Sequence, residues 1–135
     1  MSSSETPTRV AAEIILNDFD AFHTEFKSLT KEAADIFANR AWNEGQQLAV
    51  TRLDLYKHYV NRTEQSVQNI LASNFKDRAT WRVLKQEFKQ LVSERRDGPI
   101  VESFFNSVLR KLFINEGIDE EIEFIDFQRR VLQTN

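Results

Sequence analysis

Apolar residues return along this chain every three or four positions, a spacing that predicts helices over most of its length. Ile15, Phe19, Phe22 and Phe26 fall at steps of 4, 3 and 4, one face of a helix over about 7–27. Thr6 is placed to cap that helix, and Pro7 to fill its first turn, where a missing N–H costs nothing. The Ser-rich residues 1–6 read as a disordered leader. Thr30 offers a second cap, ahead of Ala33, Ala34, Phe37 and Ala38 on a short helix over 30–38. A long helix follows over about 40–73, with Trp42, Ala49, Leu53, Tyr56, Val60, Val67 and Leu71 in register. Such a helix spans roughly 45 Å, and Gly45 near its start costs it about 1 kcal/mol relative to Ala.

Trp81, Leu84, Phe88 and Leu91 define a fourth helix over about 77–96, closed by the run Arg95-Arg96-Asp97-Gly98-Pro99. A fifth, over 100–116, carries Val101, Phe104, Phe105, Val108 and Leu112 on one face. Leu109 and Phe113 widen its apolar arc until it requires neighbours on two sides. Beyond Gly117 the pattern changes: Ile122 and Phe124 alternate with acids, which predicts a short strand over about 122–127. One strand has nothing to pair with, so the ending reads as that of an incomplete domain. The expected fold class is mainly α: about five helices, one of them long, and a short C-terminal β-strand.

A length of 135 residues suits one domain, and 41% hydrophobic residues with 11 Phe suffice for one core. The net charge of −3 argues against a generally basic nucleic-acid binder. The absence of cysteine removes disulfides, thiolate nucleophiles and thiolate zinc sites together. No run approaches the ~20 apolar residues of a membrane span, and the first residues lack the basic and apolar segments of a signal peptide. A cytoplasmic protein with no membrane partner is the default expectation.

Candidate chemistry is sparse. The three glycines, at 45, 98 and 117, lie too far apart for a phosphate-cradling loop or a nucleophile elbow. Asp20 precedes His23, and Asp54 precedes His58, by one helical turn. Neither pair makes the Glu-x-x-His pattern of carboxylate-bridged metal bundles, and ordinary, partly exposed histidines are the simpler reading. No catalytic residue and no metal ligand is assigned. Arg78, Arg82, Lys85 and Lys89, spaced 4, 3 and 4, stack along one stripe of the fourth helix. That stripe is either a docking surface for an acidic partner or a solvated face. Asn106 falls at the edge of the fifth helix's second apolar arc. A buried amide without partners costs about 1–3 kcal/mol, so Asn106 either clamps neighbouring backbone or faces a polar ligand.

The segment Glu102-Ser-Phe-Phe-Asn-Ser-Val108, followed by Leu112-Phe113, resembles a signature stretch of the bacterial isocitrate dehydrogenase kinase/phosphatase family. Ile15-Leu16-x-x-Phe19-Asp20-Ala21 is similar to the family's first helix. Trp42, Gln46-Gln47, Arg52, Leu55-Tyr56, His58 and Val60 are similar to its long helix. Gly45, Leu109 and Arg110 depart from the pattern.

The resemblance implies the first part of a helical regulatory domain. It implies an enzyme that phosphorylates a serine of isocitrate dehydrogenase and removes that phosphate, switching carbon between the citric acid cycle and the glyoxylate bypass. ATP and Mg²⁺ would serve a kinase-like catalytic domain absent from this chain, and AMP an allosteric site between the two domains. The family protein is a homodimer. Asn106 and Ser107 become candidate AMP contacts, with isocitrate dehydrogenase and the missing catalytic domain as expected partners. The chain itself is expected to carry no cofactor and no activity. The alternative is a free-standing, non-enzymatic helical interaction module.

Overall fold

Pro7 opens the first helix in the way its chemistry allows: the Arg9 N–H donates to Thr6 Oγ1 at 3.2 Å, and the Val10 N–H to the Thr6 carbonyl at 3.0 Å. The computed structural model describes residues 6–38, 42–71, 78–114, 124–125 and 127–131. Most of the leader, residues 1–5, lies outside them. The elements are α1 (Pro7–Ala38), α2 (Trp42–Leu71), α3 (Arg78–Val92) and α4 (Gly98–Leu109), which runs on into a π-helical turn, Arg110–Ile114.

Two expectations need correction. The break predicted near residue 28 does not exist, and α1 is one helix of 32 residues. Thr30, read as a cap, donates its hydroxyl to the Phe26 carbonyl at 2.9 Å, the back-bond of a residue inside a helix. The strand predicted over 122–127 is also not found: residues 124–125 and 127–131 are helical, while 122, 123 and 126 lie outside the described residues. Phe124, Phe127 and Val131, at steps of 3 and 4, are all buried, and Ile125 is exposed. The period is that of a helix, and the acids flanking Ile122, Glu121 and Glu123, imitate alternation only locally.

α1 and α2 pack antiparallel, as their cross-contacts show. The Tyr59 hydroxyl donates to Glu25 Oε1 at 2.8 Å, and the Thr63 hydroxyl to Asp18 Oδ2 at 2.8 Å. Higher numbers on α2 therefore meet lower numbers on α1. Between them Phe19, Phe22 and Phe26 meet Tyr56, Phe104, Phe124 and Phe127 in one aromatic interior. The Phe22 ring alone lies 5.6 Å from that of Phe104 and 5.1 Å from that of Phe127, both within the favourable range for aromatic pairs. α3 lies along α1 and is tied to α4 by Phe88 stacked on Phe105, centroids 3.9 Å apart and planes 6° from parallel. The fold is mainly helical, with no strand among the described residues.

Candidate functional site

α4 buries eight residues, from Ile100 to Leu109. What remains outside is a single strip, Pro99, Glu102, Asn106 and, just past the helix, Arg110, each about one helical turn from the next. Asn106 is therefore exposed rather than held at the edge of a buried arc, because Leu109 closes against the interior and leaves the amide in solvent. Ser107, its neighbour, points the other way and is buried. Its hydroxyl donates to the Ser103 carbonyl at 3.1 Å and pairs with the Tyr56 hydroxyl across the α2–α4 contact. The two candidate nucleotide contacts thus do not converge. Ser107 is committed to holding α4 on α2, and only Asn106 has a side chain within reach of a ligand.

The basic residues of α3 sit at the border of its buried face. Leu84, Phe88 and Val92 are buried, whereas Arg82 and Lys89 are exposed. Lys85 is half-buried, its ammonium 5.2 Å from the centre of the Trp81 ring, a cation–π distance. The side chain of Arg78 lies outside the described residues.

Sequence reasoning did not foresee the charged joint at the turn between α3 and α4. Arg95 donates to Asp97 through Nε at 2.9 Å and Nη2 at 2.8 Å, and reaches back to Asp20 on α1 at 2.6 Å. These hydrogen bonds raise the Arg95 pKa and hold the Asp97 carboxyl below its usual value, Arg95 being the largest cause. His23 lies behind them, buried, its Nδ1 3.9 Å from Asp97 Oδ2 and its Nε2 without a hydrogen-bond partner among the described residues. That separation is too long for a hydrogen bond. Burial, with a smaller contribution from Lys27, lowers the His23 pKa from 6.5; Asp97 and Asp20 oppose this only partly. His23 is thus a neutral interior residue and not the partly exposed one expected. Arg95 and Asp20 are 75 residues apart in sequence, and periodicity carries no signal at that range.

His58, the other candidate, is exposed, its ring edge-on to Tyr59. Among the described residues no group of three or more His, Asp or Glu is placed to hold a metal ion. No described helix is long and apolar enough to cross a membrane. What the arrangement can do is hold helices together and present faces.

Comparison with known proteins gives those faces a context. Residues 12–135 match the family described as isocitrate dehydrogenase kinase/phosphatase (AceK), regulatory domain. The isocitrate dehydrogenase kinase/phosphatase of Anaeromyxobacter sp. (strain Fw109-5) is 34% identical over 125 residues, which cover 93% of this chain and 22% of the relative. That of Anaeromyxobacter dehalogenans (strain 2CP-C) is 38% identical over 117 residues, 87% of this chain and 20% of the relative. That of Xanthomonas campestris pv. campestris (strain 8004) is 28% identical over 122 residues, with 90% and 21% covered. The chain spans about a fifth of the length of these curated relatives. It belongs to the isocitrate dehydrogenase kinase/phosphatase family, in the regulatory domain.

Proposed function

We propose that this chain, as a member of that family, is the N-terminal regulatory portion of a bifunctional enzyme that phosphorylates a serine of isocitrate dehydrogenase and removes the phosphate again. Its work is contact rather than chemistry. In this reading the whole protein is a cytoplasmic homodimer that sets the flow of carbon between the citric acid cycle and the glyoxylate bypass. ATP and Mg²⁺ act in a catalytic domain outside these residues. The observation that carries the reading is the regulatory-domain match over 12–135, on residues that build one continuous aromatic interior.

AMP belongs to the same proposal as an effector bound where the regulatory and catalytic parts meet. On this side of that junction Asn106 is the contact offered, because its amide is exposed while the Ser107 hydroxyl is engaged.

The test is label transfer. The purified chain is incubated with isocitrate dehydrogenase, Mg²⁺ and γ-labelled ATP, beside a full-length relative as the positive control. The expected result is label on isocitrate dehydrogenase with the relative and none with the chain alone. Label transferred by the chain alone would overturn the reading. A second arm replaces the residue equivalent to Asn106 by Ala in the full-length relative. The expected result is a normal melt with a weakened AMP response of the kinase-to-phosphatase balance.

A further inference from the structure

We propose that the outer face of α3 is a docking surface for an acidic helical segment of a partner protein, recognised through Arg82, Lys85 and Lys89. This goes beyond the enzymatic reading and does not depend on it.

Three observations converge on the face. First, the cations are uncompensated. The only acid in Arg78–Val92 is Glu87, which turns toward α1, where its Oε1 accepts from the Thr6 hydroxyl at 3.3 Å. No carboxylate of the helix stands three or four residues from Arg82, Lys85 or Lys89, and no ion pair holds any of them among the described residues. Second, the cations are one another's neighbours at i, i+3 and i, i+4, an arrangement whose like-charge repulsion destabilises a helix. An acidic occupant converts that repulsion into attraction. Third, the surrounding face suits a protein. Lys85 lies against the half-buried Trp81, and further round the helix Gln86 and Gln90 are exposed beside Val83.

The chemistry of the occupant follows from charge and shape. The chain as a whole carries −3, so at long range it repels extended polyanions, while the positive stripe on α3, a local exception, attracts a matched short one. From Arg82 to Lys89 the stripe runs about 10 Å along the axis, two turns of a helix, too narrow for the broad basic face of a nucleic-acid binder. A helix with Glu at i, i+4 and i+7 presents carboxylates at the same rise.

The test uses the 135-residue chain and a labelled alanine-rich peptide carrying Glu at i, i+4, i+7 and i+11, followed by fluorescence anisotropy. Controls are the same peptide with its glutamates dispersed around the helix, a short DNA duplex, and phosphatidylserine–phosphatidylcholine vesicles. The expected result is saturable binding of the striped peptide, weakened about tenfold as salt rises from about 0.05 to 0.3 M and about tenfold by R82Q/K89Q. That variant should melt at or slightly above the parent temperature, since it removes like-charge neighbours, so lost binding would not report lost folding. Several outcomes overturn the proposal: no binding of the striped peptide, equal binding of the dispersed one, an unchanged affinity in R82Q/K89Q, or binding of the duplex or vesicles in place of the peptide. Peptide binding that appears only after neutralising Asp119, Glu120 and Glu121 assigns the face to the chain's own acidic run and overturns it too. Salt-sensitive self-association without peptide binding assigns it to a second copy, with the same consequence.

Discussion

α3 and α4 stand on either side of one short turn and use apolar residues in opposite ways. α4 buries eight residues and leaves a single polar strip outside. α3 buries Leu84, Phe88 and Val92 and turns a row of cations outward. The difference lies in what each helix touches. α4 inserts Phe104 between Phe19, Phe22 and Tyr56, whereas α3 covers α1 from one side. A helix enclosed on two sides has little surface left for a partner, and a helix enclosed on one side has a whole face. The segment whose sequence most suggests a ligand site, Phe104 to Ser107, is therefore mostly structural, and the plainer helix carries the open surface.

The largest effect that can break this comparison is loss of the shared interior. Phe22→Ala removes the ring that meets Phe26, Phe104, Phe127 and both tyrosines, and should cost about 3–5 kcal/mol in urea unfolding. A cost below 1 kcal/mol would show that the aromatic cluster is not the core. Next comes the polar side of α4. Ser107→Ala leaves the buried Tyr56 hydroxyl without this partner and should cost about 1–3 kcal/mol, whereas Asn106→Ala, in solvent, should stay within about 0.5 kcal/mol. Equal effects at the two positions would refute the assignment of one to the fold and the other to the surface.

The joint between the two helices should matter less. Arg95→Met keeps the aliphatic stem but loses the bonds to Asp97 and Asp20, and about 1–2 kcal/mol is expected, partly screened because Asp20 is half exposed. The smallest effect is a pH dependence. With the His23 pKa lowered in the fold, the unfolded chain binds its proton first, so stability is full above pH 6.5 and declines as pH falls below it. Asp97, also lowered, contributes stability above its ordinary 3.8 that is lost as pH falls further. Thermal melts between pH 7.5 and 5 should therefore slope downward toward acid, and the slope attributable to His23 should vanish in His23→Gln. A flat profile for the parent would place His23 in solvent.

Much of this fold is legible in the sequence because its interior is built from regular repeats. Ile15, Phe19, Phe22 and Phe26 predict their own burial, and so do Tyr56, Val60, Val67 and Leu71, since steps of three and four can put them only on one face. Local signals fail where one residue has two uses. Thr30 can cap a helix or back-bond within one, and only the contact of α1 with α2 over its length decides between them. Phe124 follows an alternating acid and also begins a helical triplet with Phe127 and Val131; the aromatic interior, which buries all three, selects the second. Periodicity puts Asn106 at the edge of a buried arc, whereas the fold leaves it exposed, because the depth to which Leu109 buries depends on neighbours remote in sequence. The Asp20–Arg95–Asp97 joint leaves no periodic trace, since its parts meet only after α3 has folded back along α1.

Hydrogen exchange followed by mass spectrometry tests the division between the two helices most directly, because a single experiment measures both. Peptides within α4, residues 100–109, should exchange only through global unfolding, and peptides within α3, residues 79–91, through a local opening of smaller free energy. The acidic peptide should then slow α3 alone. Protection of α3 equal to that of α4, or an α4 that opens first, would contradict the assignment of the fold to one helix and the docking face to the other.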